Sequence, residues 1–395
     1  MAEEYYSSQI GGRRGRGRGR GRSRSSHSSN SSRRSLWAMI FDAVMMLVSV
    51  VVAIIILTIF IGRIFEPEKL WYFSLAGLVA PIVYLVAIAT TLYWIVRWRW
   101  RMVLFLAVFV ALGWPYISLY YKMQIGKEYG TPRYERGNIK VLSYNVRGLR
   151  DELWVTSTVD SIVSLIKSQN PDIVCFQEFP TRGDDHDILL SELSKYNHTK
   201  IQSPYDDGVV CFSKYRIIRS DSISGFCGTA KGLWADLKIN NDTIRVYNIH
   251  LQSTAINSEE RAYISNRQFL QSADSGRISK FKGMAQRLYE NSCMRSHQVD
   301  ALRHDMEHCT YPVILCGDFN DVPLSYAYRT IASNLKDTFS EEGNGYASTF
   351  SGFFNLLRID YILVSEQFRT LSYEVLPTDL SDHYPVVARV LLQHE

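Results

Sequence analysis

No CxxC pair and no His/Cys ligand spacing occurs anywhere in the 395 residues, which argues against a zinc site. Cysteine is missing altogether before Cys175, and all six (Cys175, Cys211, Cys227, Cys293, Cys309, Cys316) lie in the carboxy-terminal part. Cys175, Cys211 and Cys316 sit inside apolar strand-like runs and read as small buried hydrophobes. Whether Cys293 bonds Cys309, and in which redox compartment, stays open at this level. Apolar residues are nearly missing from residues 1–35, where Gly alternates with Arg13, Arg14, Arg16, Arg18, Arg20, Arg22 and Arg24 before a run of Ser, Asn and His. Such a segment buries too little to offset the entropy of ordering it, so it is expected to be disordered. It is either a solvated basic tail that sets membrane orientation or a binder of anionic lipid or nucleic acid. No internal repeat is visible. The first apolar run also lacks the short core and small-residue cleavage site of a signal peptide.

Long apolar runs are what the first third does have. Residues 36–61 are interrupted only by Asp42, and residues 70–96 and 102–121 follow, the last with Gly113 and Pro115. Each approaches or exceeds the roughly 20 apolar residues of a bilayer span, so three transmembrane helices are expected. The resulting organisation is a disordered tail (1–35), a membrane region (36–121), a linker (122–137) and a carboxy-terminal domain (138–395). Orientation follows from Lys and Arg, which stay on the cytoplasmic side. The tail is arginine-rich, the connector 63–69 mixes Arg63 and Lys69 with Glu66 and Glu68, and the next, Arg97-Trp98-Arg99-Trp100-Arg101, is wholly basic between interfacial tryptophans. That pattern places the amino terminus in the cytoplasm and the carboxy-terminal domain on the extracytoplasmic side, periplasmic or luminal.

From about residue 138 the texture changes to short β-branched and aromatic runs. Strands are expected at 139–144, 172–176, 209–212, 233–239, 243–250, 313–316, 359–364 and 386–392. Helices are expected at 156–168, 188–195, within 259–308, and at 325–333. The mixture predicts an α/β domain of packed sheets covered by helices.

Polar residues cluster at the ends of these strands, where sheet enzymes build their sites. Asn145 ends Val141-Leu142-Ser143-Tyr144-Asn145, and Glu178 ends Ile173-Val174-Cys175-Phe176-Gln177-Glu178. Next come Asn248-Ile249-His250-Leu251, Gly317-Asp318-Phe319-Asn320, Arg358-Ile359-Asp360-Tyr361 and Ser381-Asp382-His383-Tyr384-Pro385. Singly, such a residue is more often a cap or a satisfied surface group. In this order the set resembles the endonuclease/exonuclease/phosphatase superfamily, with its deoxyribonuclease I-like and neutral sphingomyelinase-like branches, over residues 138–395.

The resemblance implies a four-layer α/β sandwich, two mixed β-sheets flanked by helices, with the site at one end. It implies a Mg²⁺-dependent phosphoric ester hydrolase, with Mn²⁺ as a substitute. Glu178 would be the main ligand of this hard cation, Asn145 would help hold it, and Asp382 would offer a further metal position. Asp318 would activate the attacking water and Asn320 would hold water or phosphate. His250 and His383 would bind phosphoryl oxygens, with Asp360 orienting His383 and favouring its charged form. Arg147 reads equally as a substrate contact or a surface residue.

The substrate class is less constrained. Asn248-Ile249-His250 carries His where the abasic-site endonuclease branch has Tyr, and Val146-Arg147 lacks the acidic residue of that branch's eukaryotic members. Residues 134–395 hold 27 Lys and Arg against 33 Asp and Glu, a balance of −6, with no obvious basic groove for a nucleic-acid backbone. Membrane tethering makes a lipid head group plausible by raising its effective concentration. A tethered extracytoplasmic nuclease and an inactive membrane scaffold of the same fold are the alternatives.

Overall fold

The computed structural model describes residues 36–124, 135–151, 155–200, 207–229, 231–254 and 276–393. The arginine-rich tail and the start of the expected 259–308 helix lie outside these residues. By packing, residues 45–395 form one compact unit.

Three helices are long and apolar enough to cross a membrane. The first, α1, is Leu36–Ile64. The second begins with a short helix α2 (Trp71–Ser74) and a 3-10 turn (Ala76–Val79), then runs on as α3 (Ala80–Val96). Pro81 stands in the first turn of α3, where its missing N–H costs no intrahelical bond. The third, α4 (Trp100–Ile117), contains Pro115. Gly113 is needed there, because a Cβ at this position would lie 2.1 Å from the Tyr84 hydroxyl of α3. Leu57, Leu85 and Leu104 are all exposed, so these helices present apolar side chains outward. The apolar run was expected to extend to residue 121, but the helix stops at Ile117. The chain then extends as β1 (Tyr121–Lys122), which pairs antiparallel with β11 (Gly345–Tyr346).

Two six-stranded sheets form the rest. One contains, in spatial order, β13 (Phe368–Val375), β14 (Val386–Leu392), β2 (Ile139–Asn145), β3 (Ile173–Pro180), β5 (Asp207–Ser213) and β4 (Asn197–Lys200). The other contains β10 (Lys336–Asp337), β12 (Asp360–Val364), β9 (Val313–Asp318), β8 (Asp242–His250), β7 (Lys231–Ile239) and β6 (Arg216–Ser222). Only β2/β3 and β8/β9 are parallel, so both sheets are mixed. Their inner faces enclose a core that includes Val141, Cys175, Cys211, Val246, Cys316 and Ile362. Helices α5 (Val159–Gln169) and α6 (Asp184–Glu192) cover the outer face of the first sheet, burying Ile162, Ile166 and Leu189 against Phe176 and Phe212. Helices α7 (Gly276–Glu307) and α8 (Tyr326–Ile331) cover the second through Val299, Leu302 and Tyr328. The expected four-layer sandwich is the observed architecture. All six cysteines are free, three of them in the core between the sheets.

The strands that the alternation of side chains did not reveal are the two-residue β1, β10 and β11 and the longer β4, β6 and β13. Of these, β4, β6, β10 and β13 are the edges of the two six-stranded sheets. Strand β6, RIIRSDS, has no buried residue, and edge strands use such polar sequences to avoid pairing with other chains.

Candidate active site

The site lies where the two sheets present the ends of their parallel strands. His250 closes β8 and Asp318 closes β9, and the two are paired in register. Asp360 opens β12, which runs antiparallel to β9, so it also stands opposite Asp318. Gly317 makes this register possible. A Cβ there would meet the Ile249 carbonyl oxygen at 2.0 Å, and its φ of 153° is one that L side chains rarely adopt. From the other sheet, Asn145 ends β2 beside Gln177 of β3. The β3/β5 register shifts between Phe176 and Phe179, and Glu178 within that irregularity has φ of 49°. A bulky residue held in this left-handed region costs on the order of 1 kcal/mol or more, a strain that recurs at functional sites.

Asn145 joins the two sheets chemically. Its Nδ2 donates to Glu178 Oε1 and to Asp318 Oδ2, both at 3.0 Å, and its Oδ1 accepts from the Arg147 N–H at 3.0 Å. Asp318 Oδ1 accepts from the Asn320 N–H at 2.8 Å, while Asn320 Nδ2 donates to the Leu251 carbonyl at 3.1 Å. Burial pushes the Asp318 carboxyl up to about 6, against the opposing pull of His383 and His250. Burial also raises Glu178, with the Asn145 hydrogen bond acting the other way.

The two histidines differ in kind. His383 Nδ1 lies 3.0 Å from Asp360 Oδ2, and its Nε2 lies 3.7 Å from Asp318 Oδ2. Burial alone would lower its pKa, but Asp360 and Asp318 together push it up to about 10, which favours the imidazolium form. The Asp360 N–H donates to Thr349 Oγ1, which fixes the carboxylate's backbone. His250 has no hydrogen-bond partner on either ring nitrogen among the described residues, although both are buried. Its Nε2 is 3.7 Å from both Glu178 Oε1 and Asp318 Oδ2. Burial lowers its pKa, which leaves it neutral and available to a ligand.

Asp382 faces Arg147, with Nη1 to Oδ2 at 3.5 Å, and the preceding Ser381 hydroxyl donates to the Asn145 carbonyl at 2.9 Å. All nine residues singled out in the sequence therefore converge on this one end of the sandwich. Among the described residues, Asp318, Asp360 and His383 form a group whose ligand atoms lie within 4.8 Å of one another, a set able to coordinate a metal. Glu178 and Asp382 are outside that group.

The comparisons with known proteins give the family. A family model described as Endonuclease/Exonuclease/phosphatase family matches residues 142–383. The chain belongs to this family. An endonuclease/exonuclease/phosphatase domain thus spans every residue of the site. A second model, described only as a domain of unknown function, matches residues 42–120. No curated protein matches the chain. Solved structures similar to it include the human Nocturnin catalytic domain with bound sulfate anion, at 20% identity over 65% of this chain and 94% of that one, TM-score 0.48. Others are an endonuclease/exonuclease/phosphatase from Beutenbergia cavernae (19%, 65% and 72%, TM-score 0.47) and the Bacteroides thetaiotaomicron mannosyl-6-phosphatase (18%, 64% and 100%, TM-score 0.45).

Several pairings of this family site had no signal in the sequence. Lys231, opposite His250 in the β7/β8 register, is buried and donates to the partly exposed Asp207 Oδ2 at 2.8 Å, which puts an ion pair beside the histidine. Gln177 donates to Asn248 Oδ1 at 2.7 Å, and Asn248 Nδ2 donates to the Phe176 and Val210 carbonyls, both at 2.9 Å. These amides lock the sheets together directly behind Asn145 and Glu178. Arg295 of α7 pairs with Asp321 at 3.0 Å, three residues after Asp318. No local pattern marks such residues, because each partner is supplied by a different element.

Proposed function

We propose that the protein is a membrane-anchored, divalent-metal-dependent phosphoesterase that hydrolyses a phosphodiester or phosphomonoester by attack of an activated water. The observation that carries this reading is the convergence of Asn145, Asn320, His250 and the Asp360–His383 pair on the buried Asp318 carboxylate. Asp318 takes the proton of the water, Asn320 positions that water, and His383 and His250 receive the phosphoryl oxygens. Asp360 keeps His383 oriented and charged.

Glu178, Asn145 and Asp382 are assigned the metal, Mg²⁺ or Mn²⁺, because their ligand atoms are carboxylate and amide-carbonyl oxygens of the kind hard cations prefer. Glu178 is a largely buried carboxylate hydrogen-bonded to an amide. The Asp318, Asp360 and His383 set fits a cation less well, since His383 already shares a proton with Asp360. Bound there, the ion would neutralise charge on the phosphoryl oxygens. Arg147, held by Asp382, is assigned to substrate.

The lipid reading is preferred over the nuclease reading for one reason. The 3-10 turn before α3 packs on the loop that follows Asp318: a Cβ on Gly77 would stand 3.2 Å from the Leu324 carbonyl. Leu78 adds to a cluster of Val322, Phe350, Leu357 and Ile359, and the Phe350 ring lies 5.1 Å from that of His383. A site one side chain removed from a membrane segment suits a phosphoester held in the leaflet. The full chain in detergent, offered phospholipids, sphingomyelin, inositol phosphates, DNA and RNA with Mg²⁺, is expected to prefer a lipid. Turnover of DNA or RNA alone would establish the tethered nuclease, and none on any substrate the inactive scaffold.

The domain limits 1–35, 36–121, 122–137 and 138–395 and the in-out-in-out topology form part of the same proposal. Protease added outside intact cells is expected to digest residues after 134 and spare the tail. The opposite pattern reverses the orientation.

A further inference from the structure

A cavity of about 510 Å³ opens between the first membrane connector and the helices of the catalytic domain. Its cationic walls are Arg63, Lys69, Arg303 and Arg329, with Glu66 and Tyr326 among them. Glu66 is taken up by Lys69 at 2.9 Å. Among the described residues Arg303 has carboxylates only from its own helix, Asp300 at 3.9 Å and Glu307 at 3.8 Å. Among the described residues no ion pair is formed by Arg63 or Arg329. Arg63 has its Nε buried without a hydrogen-bond partner, and its guanidinium rests 4.2 Å from the centre of the Tyr116 ring. A guanidinium so placed is held by Tyr116 and leaves its buried Nε without an acceptor.

The location selects what that acceptor is. Arg63 lies in the last turn of α1, and the next span begins at Tyr72, so both limits of the connector stand at one membrane boundary. Exposed Phe65 and Tyr72 flank it, aromatics of the kind that settle at head-group depth. We propose that this cavity binds the phosphate of an anionic membrane phospholipid, bridging Arg63 of the first span to Arg329 of α8. Because α8 follows the Asp318–Leu324 loop directly, the bound lipid would clamp the catalytic domain onto the leaflet. This site is separate from the catalytic centre and does not depend on what is hydrolysed there.

The test is native mass spectrometry of the full chain in detergent with phosphatidylglycerol, phosphatidylcholine or inorganic phosphate. The parent is expected to retain phosphatidylglycerol in preference to phosphatidylcholine, and Arg329→Gln to weaken that retention roughly tenfold, the scale of a lost charge-assisted hydrogen bond. Arg329 is exposed, so this variant should fold normally and keep the parent's turnover on a water-soluble phosphodiester. Arg63→Gln should weaken retention as well, and Arg63→Lys less so. Equal retention by Arg329→Gln and the parent overturns the proposal. So does displacement by inorganic phosphate as efficient as by the lipid, which would make the cavity a general anion site.

Discussion

Asp318→Asn is expected to lower kcat by roughly two to four decades, the range typical of a lost general base, with little change in KM. The amide keeps the shape of the carboxylate. It can still accept the Asn320 N–H at the Oδ1 position, 2.8 Å in the parent, so the loop to Asn320 should hold. What it cannot do is take a proton. The buried carboxyl, raised to about 6, is suited to doing so near neutral pH, where it is mostly ionised yet basic enough to be useful. A second consequence is electrostatic. Removing one carboxylate beside His383 reduces the stabilisation of its imidazolium, so the pKa of that histidine should fall while Asp360 keeps it oriented. Steady-state kinetics with a substrate that the parent hydrolyses checks this directly. Near-normal turnover would remove Asp318 from the role of water-activating group and would require the whole site to be reassigned.

Glu178→Gln is expected to act through the metal instead. Activity of the parent should vanish in EDTA and return with Mg²⁺ or Mn²⁺, but poorly with Ca²⁺, whose looser coordination positions water less well. In Glu178→Gln the Mg²⁺ concentration for half-maximal activity should rise roughly tenfold or more, and excess metal should recover part of the rate. Folding should survive, because Gln can still accept the Asn145 amide proton that Glu178 Oε1 accepts at 3.0 Å. Burial with neighbouring carboxylates already raises the Glu178 pKa, so a neutral side chain relieves repulsion where no cation is bound. The measurement is a metal titration of the chelator-stripped protein. Full turnover in EDTA would remove the metal from the proposal, and an unchanged titration midpoint would move it to other ligands, the Asp318, Asp360 and His383 group first.

What was legible in the sequence was local. Strand β14 occupies residues 386–392 as its β-branched pattern indicates, and α1 runs through the apolar stretch that begins at Leu36. The motif residues were legible because each sits at a strand end, in an order that the family shares. Their convergence was not. Asn145 and Asp318 stand 173 positions apart, yet the amide of one donates to the carboxylate of the other.

The sequence by itself determined the three helices long and apolar enough to cross a membrane, the class of the domain and the identity of the polar residues at its strand ends, since hydrophobic length and alternation are properties of neighbouring residues. The family order pairs Asp360 with His383 and favours its charged form, but only the tertiary structure decided that His250 has no such partner among the described residues. His383 and His250 are the same side chain in similar strand-end settings, and the difference lies in Asp360, which reaches one ring nitrogen of His383 at 3.0 Å while His250 is buried without any hydrogen-bond partner among the described residues. It likewise decided where the third span ends, because the pairing of Tyr121 and Lys122 with Tyr346 and Gly345 replaces another turn of helix by a strand. Charge state and helix termination depend on groups brought in from far along the chain, and a one-dimensional pattern carries no record of which distant group arrives.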